Sequence, residues 1–555
     1  MQLFSKWTTI PACVLLVVAL CHAETYYVDA TNGKDTNSGT SESSPWQTLS
    51  KVNDANLGQG DRVLLERGEA WRGESLRARS GMTIGAYGSG ARPKIDGTIV
   101  VPNSSFNQSS GVPNTFKLKE ERSVSQVLED SVRLQRASRK SEVGDRPGSW
   151  YWAKGALHVH ASDDSNIKNN GKQYEVGVVN DAIYAGDERN VTIEEVHILN
   201  CGDMGVYGIN SDHLVVRNCI IEYIKKSGPG SPDGIGLNHN TSNAVIEGNV
   251  IHDIGDRKEG AGVYIGTAGA NLGYNAHDNI VRNNEIYNCV VGVTIKVHSV
   301  DNLIDGNHIH HVVHQAIRSV NRNTVTRNFI HDCEEEGIET YNDAIVAYNF
   351  VRKCHAGVIV LSVTSSFVDH QKVGRSNQVV NNTVTDCVIG VSIFNTKTAR
   401  TTQPRDNIIK NNLFYDCYRQ LLIADPNGLP DDHNNQFDYN CYYSSTGRVL
   451  FRNGPGENDD VTFAQWQQIY GDDAHSITQD PRLTSSSPQT VPDIRLAGDS
   501  PCVDAALDVG LVQDLVGTSV PQGNGVDMGA HEFAGSGRAD GPPAPPRNVR
   551  AQVDQ

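Results

Sequence analysis

One short phrase, N-x-φ-x-x-N-x-φ with φ apolar, keeps returning along this chain. It can be followed through HLVVRNCI at Asn218, AVIEGNVI at Asn249, NIVRNNEI at Asn284, NLIDGNHI at Asn307 and NTVTRNFI at Asn328. It continues as AIVAYNFV at Asn349, NQVVNNTV at Asn382, NIIKNNLF at Asn412 and NQFDYNCY at Asn440. The tightest returns are 23, 21 and 21 residues apart, and the others 28 to 35. So short a period, with β-branched residues alternating with polar ones, is one coil of a solenoid rather than a domain. Asparagine suits a residue stacked once per coil at a sharp corner, because its amide can bond to the coil above and the coil below.

A solenoid grows along one axis, so the 555-residue length does not translate into a domain count. Residues 1–23 read as a secretory signal peptide, with Lys6 ahead of the apolar run IPACVLLVVAL and a small residue, Ala23, before Glu24. The expected location is therefore secreted or periplasmic. No later stretch reaches the ~20 apolar residues of a membrane span. The formal charge of −17 becomes −18 once Lys6 is removed. That balance argues against nucleic acid, whose binding depends on neutralising phosphates. An acidic polysaccharide partner would need a local basic patch set against the global field. The chain is expected to act as a monomer.

Nine cysteines follow the signal segment. Cys289, Cys333, Cys354, Cys387 and Cys417 each fall five residues after their coil's asparagine, so they should stack inside the solenoid. Stacked side chains point the same way, which favours buried thiols over disulfides.

Residues 24–175 read as an N-terminal cap and early coils, with SWYWAKGALHVHA as an inserted hairpin. Regular coils span 176–445, a C-terminal cap 446–535, and a Pro-rich tail 536–555. Caps are needed because the end coils of a solenoid otherwise expose their core. The asparagine coils, the YYVDATNGKDTNSGT opening and the SPCVDA…VDMGAHEF ending resemble secreted, polysaccharide-degrading right-handed parallel β-helix proteins. That resemblance implies an all-β, right-handed parallel β-helix with N- and C-terminal caps. It says less about activity, since such folds host lyases, hydrolases, epimerases and adhesins.

Each coil carries a second strand marked by Gly or Ala, among them G-V-Y-G-I (205–209), G-V-T-I-K (292–296), A-I-R-S-V (316–320) and G-I-E-T-Y (337–341). Alternation turns Val293, Ile317 and Ile338 inward. The outward column then reads Tyr207, Gly236, Tyr264, Thr294, Arg318, Glu339, Ile359, and a second column reads Asn238, Gly266, Lys296, Val320, Tyr341, Leu361. Lys296, Arg318 and Glu339 are thus expected on one exposed face bordered by Tyr264 and Tyr341. Insertions at 267–278, 365–376, 396–406 and 425–434, with 225–233 from the other side, would wall that face into a groove for an extended polymer.

A lysine and an arginine one coil apart suit β-elimination from a uronate chain. Lysine with a depressed pKa takes the proton beside the carboxylate, and arginine binds the carboxylate bidentately. A tyrosine or a histidine, His298 or His314, would protonate the leaving oxygen, while Tyr207, Tyr264, Tyr341, Asp233 and His239 would contact sugar. The pairing resembles β-helix alginate and chondroitin lyases, with Lys296 and Arg318 at the matching positions. Calcium is the one cofactor this resemblance raises. The relatives' calcium-binding carboxylates are replaced here by CVVGVTI, and the pectate-lyase pattern is only faintly echoed by Asp233, Asp256 and Glu259. A glycoside hydrolase using Glu339 with Asp343, Glu336 or Asp233 is the alternative, followed by a non-catalytic carbohydrate-binding surface protein. Histidines 308, 310, 311 and 314 form a cluster on paper, but they are expected to alternate in direction, which would prevent a shared metal.

Overall fold

A computed structural model describes residues 23–535 apart from 227–230, 257, 268–274, 363–373, 396–403, 425–433 and 455–458. Residues 1–22 of the expected signal segment, the Pro-rich tail and most of the expected groove walls lie outside the described residues. Within them the chain winds through three long sheets, one strand per sheet per coil, with parallel pairing between successive coils. The first sheet has thirteen strands, from Thr25–Val28 to Gln436–Asp438. The second has twelve, from Ala70–Arg72 to Cys441–Tyr443. The third has thirteen, from Leu76–Arg77 to Asp460–Thr462, and its last pairing is antiparallel. This is a parallel β-helix whose coils begin almost at Thr25. Two smaller sheets, containing the hairpin Ser149–Ala153/Ala156–His160, interrupt the early coils and enclose a separate core around Phe106, Trp150 and Tyr174.

The repeating phrase explains the coil. Its φ residues are the central residues of three-residue strands, and they point inward. Val281, Ile304, Val325 and Val346 stack in the first sheet and Ile286, Ile309, Ile330 and Val351 in the second, all fully buried. Between the two strands the chain turns through a left-handed residue, such as Gly248, Asn283 or Gly306. Glycine and asparagine accept that conformation at least cost.

The next residue is the ladder asparagine. Asn328 donates to Asn349 Oδ1 at 2.9 Å, and its own Oδ1 accepts from Asn307 Nδ2 at 3.0 Å and from the Asn307 backbone N–H at 2.9 Å. The same contacts run from Asn249 through Asn284, Asn307, Asn328, Asn349, Asn382 and Asn412 to Asn440. The first asparagine of the phrase builds a second ladder, linking Asn279, Asn302 and Asn323, then Asn377, Asn407 and Asn435. Asn218 is a correction. It is the exposed left-handed residue of its corner, and Cys219 takes the ladder position, donating its backbone N–H to Asn249 Oδ1 at 2.9 Å.

All nine cysteines are free and buried. The stack is closed at one end by the helix Leu49–Asp54, capped by Thr48, and near the other by Phe463–Tyr470. The latter has a Thr462/Gln465 capping box, Gly471 in the left-handed region, and Trp466 buried against Phe451 and Phe437.

Two outcomes are expected. Asn328→Ala leaves the buried Asn307 N–H without its Oδ1 acceptor and opens a gap in the ladder, so unfolding in urea should show a loss of about 3 kcal/mol; a change within ~0.5 kcal/mol would contradict the ladder's role. A thiol reagent applied without reductant should find the nine cysteines reactive after denaturation and unreactive in the folded chain, whereas a count lower by two would mean a disulfide.

Candidate functional site

The third sheet has longer strands than the other two, and its outward face carries the candidate chemistry. Its pairing runs Tyr207↔Gly236↔Tyr264↔Thr294↔Arg318↔Glu339↔Ile359, which is the column read from the sequence. Val293, Ile317 and Ile338 are fully buried in the core beneath it.

Lys296 follows the strand Val291–Ile295 and is half-buried. Its ammonium lies 5.2 Å from the centre of the Tyr264 ring. Burial, and then the neighbouring Arg318 guanidinium, lower its affinity for a proton, while Asp233, Glu339 and Glu259 act in the opposite direction. Arg318 donates Nε to Glu339 Oε1 at 2.7 Å and Nη2 to Glu339 Oε2 at 3.3 Å. Burial works against its charge, but the Glu339 carboxylate outweighs it and holds the guanidinium firmly protonated. The Arg318 side chain keeps 31% of its surface exposed, against 3% for Glu339, so the guanidinium edge rather than the carboxylate meets solvent.

Tyr341 needs correcting as a sugar platform. Its ring is buried, and its hydroxyl donates to Glu339 Oε1 at 2.5 Å. Residues two apart on a strand share a face, and here the phenol lies along the sheet onto the carboxylate. Tyr264 is nearly covered as well, and burial followed by Asp233 raises its pKa so that it stays a proton donor. Tyr207 is partly exposed, edge-on to Tyr184 with ring centres 5.7 Å apart.

Asp233 opens the strand Asp233–Asn238 and is buried. Its carboxyl accepts from the Ala261 N–H at 2.9 Å and from the Ser231 hydroxyl at 3.0 Å. Burial raises its pKa to about 7, against those hydrogen bonds and Lys296. Its register partners include Met204, and the Asp203 carbonyl accepts the Asp233 N–H. Asp181, two coils before Asp233 in the same register, is raised to about 6 by burial and then by Asp203. Lys226 holds Asp203 at 2.7 Å. Asp181, Asp203 and Lys226 were missed in the sequence; the signal was the shared register of Asp181 and Asp233, legible only once the pre-repeat coil at Asp181–Gly186 is aligned.

The histidines divide. His298 and His239 sit at left-handed corners past the Lys296 end of the strands, with the His239 N–H bonded to Thr267 Oγ1. His314 lies at the opposite edge, paired with Glu335 at 2.9 Å, so His298 and His314 flank the face from different sides. Asp343 is an exposed corner residue away from Glu339, whereas Glu336 accepts from Gln315 at 2.9 Å and is raised chiefly by burial. The expected alternation of His308 and His310 is also corrected. They are i and i+2 on one strand and share the outward face of the second sheet, with Ile309 inward between them. Among the described residues, no group of three carboxylates beside Lys296 closes around a common point in a way that would hold calcium.

A family model described as the right-handed beta helix region matches residues 152–275, which run from the inserted hairpin into the regular coils. A lacto-N-biosidase of Bifidobacterium longum subsp. longum is 31% identical over 192 residues, 31% of this chain. That match spans 12% of the relative's length. Among solved structures, a glycoside hydrolase aligns at TM-score 0.47 and 11% identity over 77% of this chain and 97% of its own. A pectate lyase aligns at TM-score 0.46 and 13% identity over 92% and 96%.

The Asp233 environment has a measurable consequence. An aspartate in the unfolded chain ionises near ~3.9, whereas Asp233 in the fold does so at about 7. Between those values the folded chain holds a proton that the unfolded chain has lost, so this group makes stability fall as pH rises through that window. Asp233→Asn should remove that slope, its urea midpoint gaining on wild type progressively from about pH 4 to pH 7; parallel curves would contradict the buried, protonated carboxyl.

Proposed function

We propose that this protein is an exported carbohydrate-active enzyme that cleaves a uronic-acid-containing polysaccharide by β-elimination on the outward face of the third sheet. The observation that carries this reading is Lys296, a half-buried lysine whose proton affinity is lowered by burial and by Arg318, set over the Tyr264 ring. A general base must be partly neutral at working pH, and this environment favours the neutral amine. In the reaction the Lys296 amine takes the C5 proton, the C4–O bond breaks, and a C4=C5 double bond forms as the leaving oxygen gains a proton. The exposed edge of Arg318 meets the substrate carboxylate and stabilises the enolate-like charge. Tyr264, kept protonated by burial and with its ring centre 5.2 Å from the Lys296 ammonium, donates that proton. Glu339, clamped by Arg318 and Tyr341, positions the guanidinium rather than reacting. Export rests on the signal-like residues 1–23, and the partial match to a lacto-N-biosidase supports carbohydrate as the substrate class.

A second reading, glycoside hydrolysis, is favoured by Asp233. A buried carboxyl that stays protonated near neutrality, beside an Asp203 carboxylate held by Lys226, has the makings of an acid and base pair.

The test is absorbance near ~235 nm, where an unsaturated uronate absorbs, during incubation with alginate, pectate and chondroitin. Lys296→Ala should abolish the rise by at least ~100-fold. New reducing ends without that absorbance, lost in Asp233→Asn, would transfer the function to the second reading.

A further inference from the structure

The outward face of the second sheet, away from the Lys296 face, carries a cluster that neither reading uses. Glu285 and His308 are register partners on adjacent strands, and Tyr287, His310 and His331 form the parallel column beside them. Glu285 Oε1 lies 3.6 Å from His310 Nε2 and 4.0 Å from His308 Nδ1, and one donor atom from each of the three residues falls within 4.8 Å of the others. Metal–ligand bonds of ~2.0–2.1 Å in a tetrahedron place neighbouring ligand atoms about 3.4 Å apart. The three atoms are therefore within a small side-chain adjustment of that geometry, and Glu285 and His308, 46% and 40% exposed, are free to make it.

The hydrogen bonds around the cluster set the tautomers of His331 and His308. Asp332 Oδ2 is 2.7 Å from His331 Nδ1, and the carboxylate can only accept, so the His331 proton sits on Nδ1. His331 Nε2 is then an acceptor, 2.9 Å from His308 Nε2, which must donate. The His308 proton is thus on Nε2, and its Nδ1 turns a bare lone pair toward Glu285. His310 completes the pattern when its Nδ1–H donates to His311 Nδ1, 2.7 Å away, leaving Nε2 facing the same carboxylate. In that tautomer two imidazole lone pairs and a carboxylate oxygen converge, an arrangement a cation satisfies; in the other, His310 Nε2–H points to Glu285, and a metal would displace that proton. Stacking holds the rings in place. His310 lies parallel between Tyr287 and His331, at centroid distances of 5.0 and 4.9 Å.

We propose that Glu285, His308 and His310 bind a divalent transition metal of the zinc class, with water as the fourth ligand and Asp332 acting through His331 to orient His308. Two imidazoles and one carboxylate suit zinc, whereas calcium and magnesium prefer all-oxygen shells. A ligating histidine usually donates its other N–H to a second group that fixes its tautomer, and here His331, oriented by Asp332, takes that place for His308.

The experiment uses the full mature chain, stripped with chelator and titrated with Zn²⁺ by calorimetry, with Co²⁺ as a spectroscopic probe of tetrahedral coordination. One site per chain is expected that His308→Ala, His310→Ala or Glu285→Gln each weakens at least ~100-fold, and Asp332→Asn by about 10-fold or more. Excess Ca²⁺ or Mg²⁺ should not compete. Urea midpoints in chelator confirm that each variant is folded, and Glu285→Gln stands in if a histidine variant is not. Zinc binding that all four variants leave unchanged, or no zinc binding by wild type, would overturn the site and leave these rings as a stacking ladder.

Discussion

Amide-to-amide stacking of the corner asparagines is the interaction on which the rest of this molecule depends. Each ladder residue's Oδ1 satisfies the buried backbone N–H of the preceding coil's asparagine, a group that a tight turn would otherwise leave unpaired, and its Nδ2 adds bonds to neighbouring carbonyls. Because one side chain serves two coils, the ladder fixes the axial register of the whole stack. Register in turn decides which side chains meet across coils. Arg318 finds Glu339 only because Thr294, Arg318 and Glu339 are held in one row.

That dependence separates the faces by role. Beyond the opening coils, the first and second sheets are built of three-residue strands whose central residue is spent on the core. The third sheet has longer strands, and so more outward positions per coil. Burial there acts on charge in two directions. It lowers the proton affinity of Lys296 and raises that of Asp233, leaving a basic amine and an acidic carboxyl poised within one face. Groups with proton affinities pushed toward each other are what acid–base chemistry near neutrality requires.

Much of this was legible in the sequence, because periodicity reports on backbone register. The column from Tyr207 to Ile359 and the buried thiols follow from alternation and stacking alone. The misplacement of Asn218 came from counting asparagines rather than corners, since the left-handed position also favours asparagine and Cys219 fills the ladder instead. Tyr341 faces outward as read, but whether an outward ring is solvated depends on where it folds, and it folds onto Glu339. The Asp181–Asp203–Asp233 group was not legible, because its first coil precedes the regular phrase and its pKa shifts arise from burial. His308 and His310 were misjudged by a local error of alternation. In a three-residue strand the first and third residues share a face, and that puts both imidazoles beside Glu285.

The central claim is that the fold holds Lys296 where its amine gives up a proton unusually easily. Isotope-labelled lysine side chains titrated by NMR, with Lys296→Arg to assign the signal, measure this directly. The account predicts that Lys296 titrates below the ordinary lysine value of ~10.4 and moves back up in Arg318→Gln. Titration together with the exposed lysines, unmoved by that substitution, would contradict it.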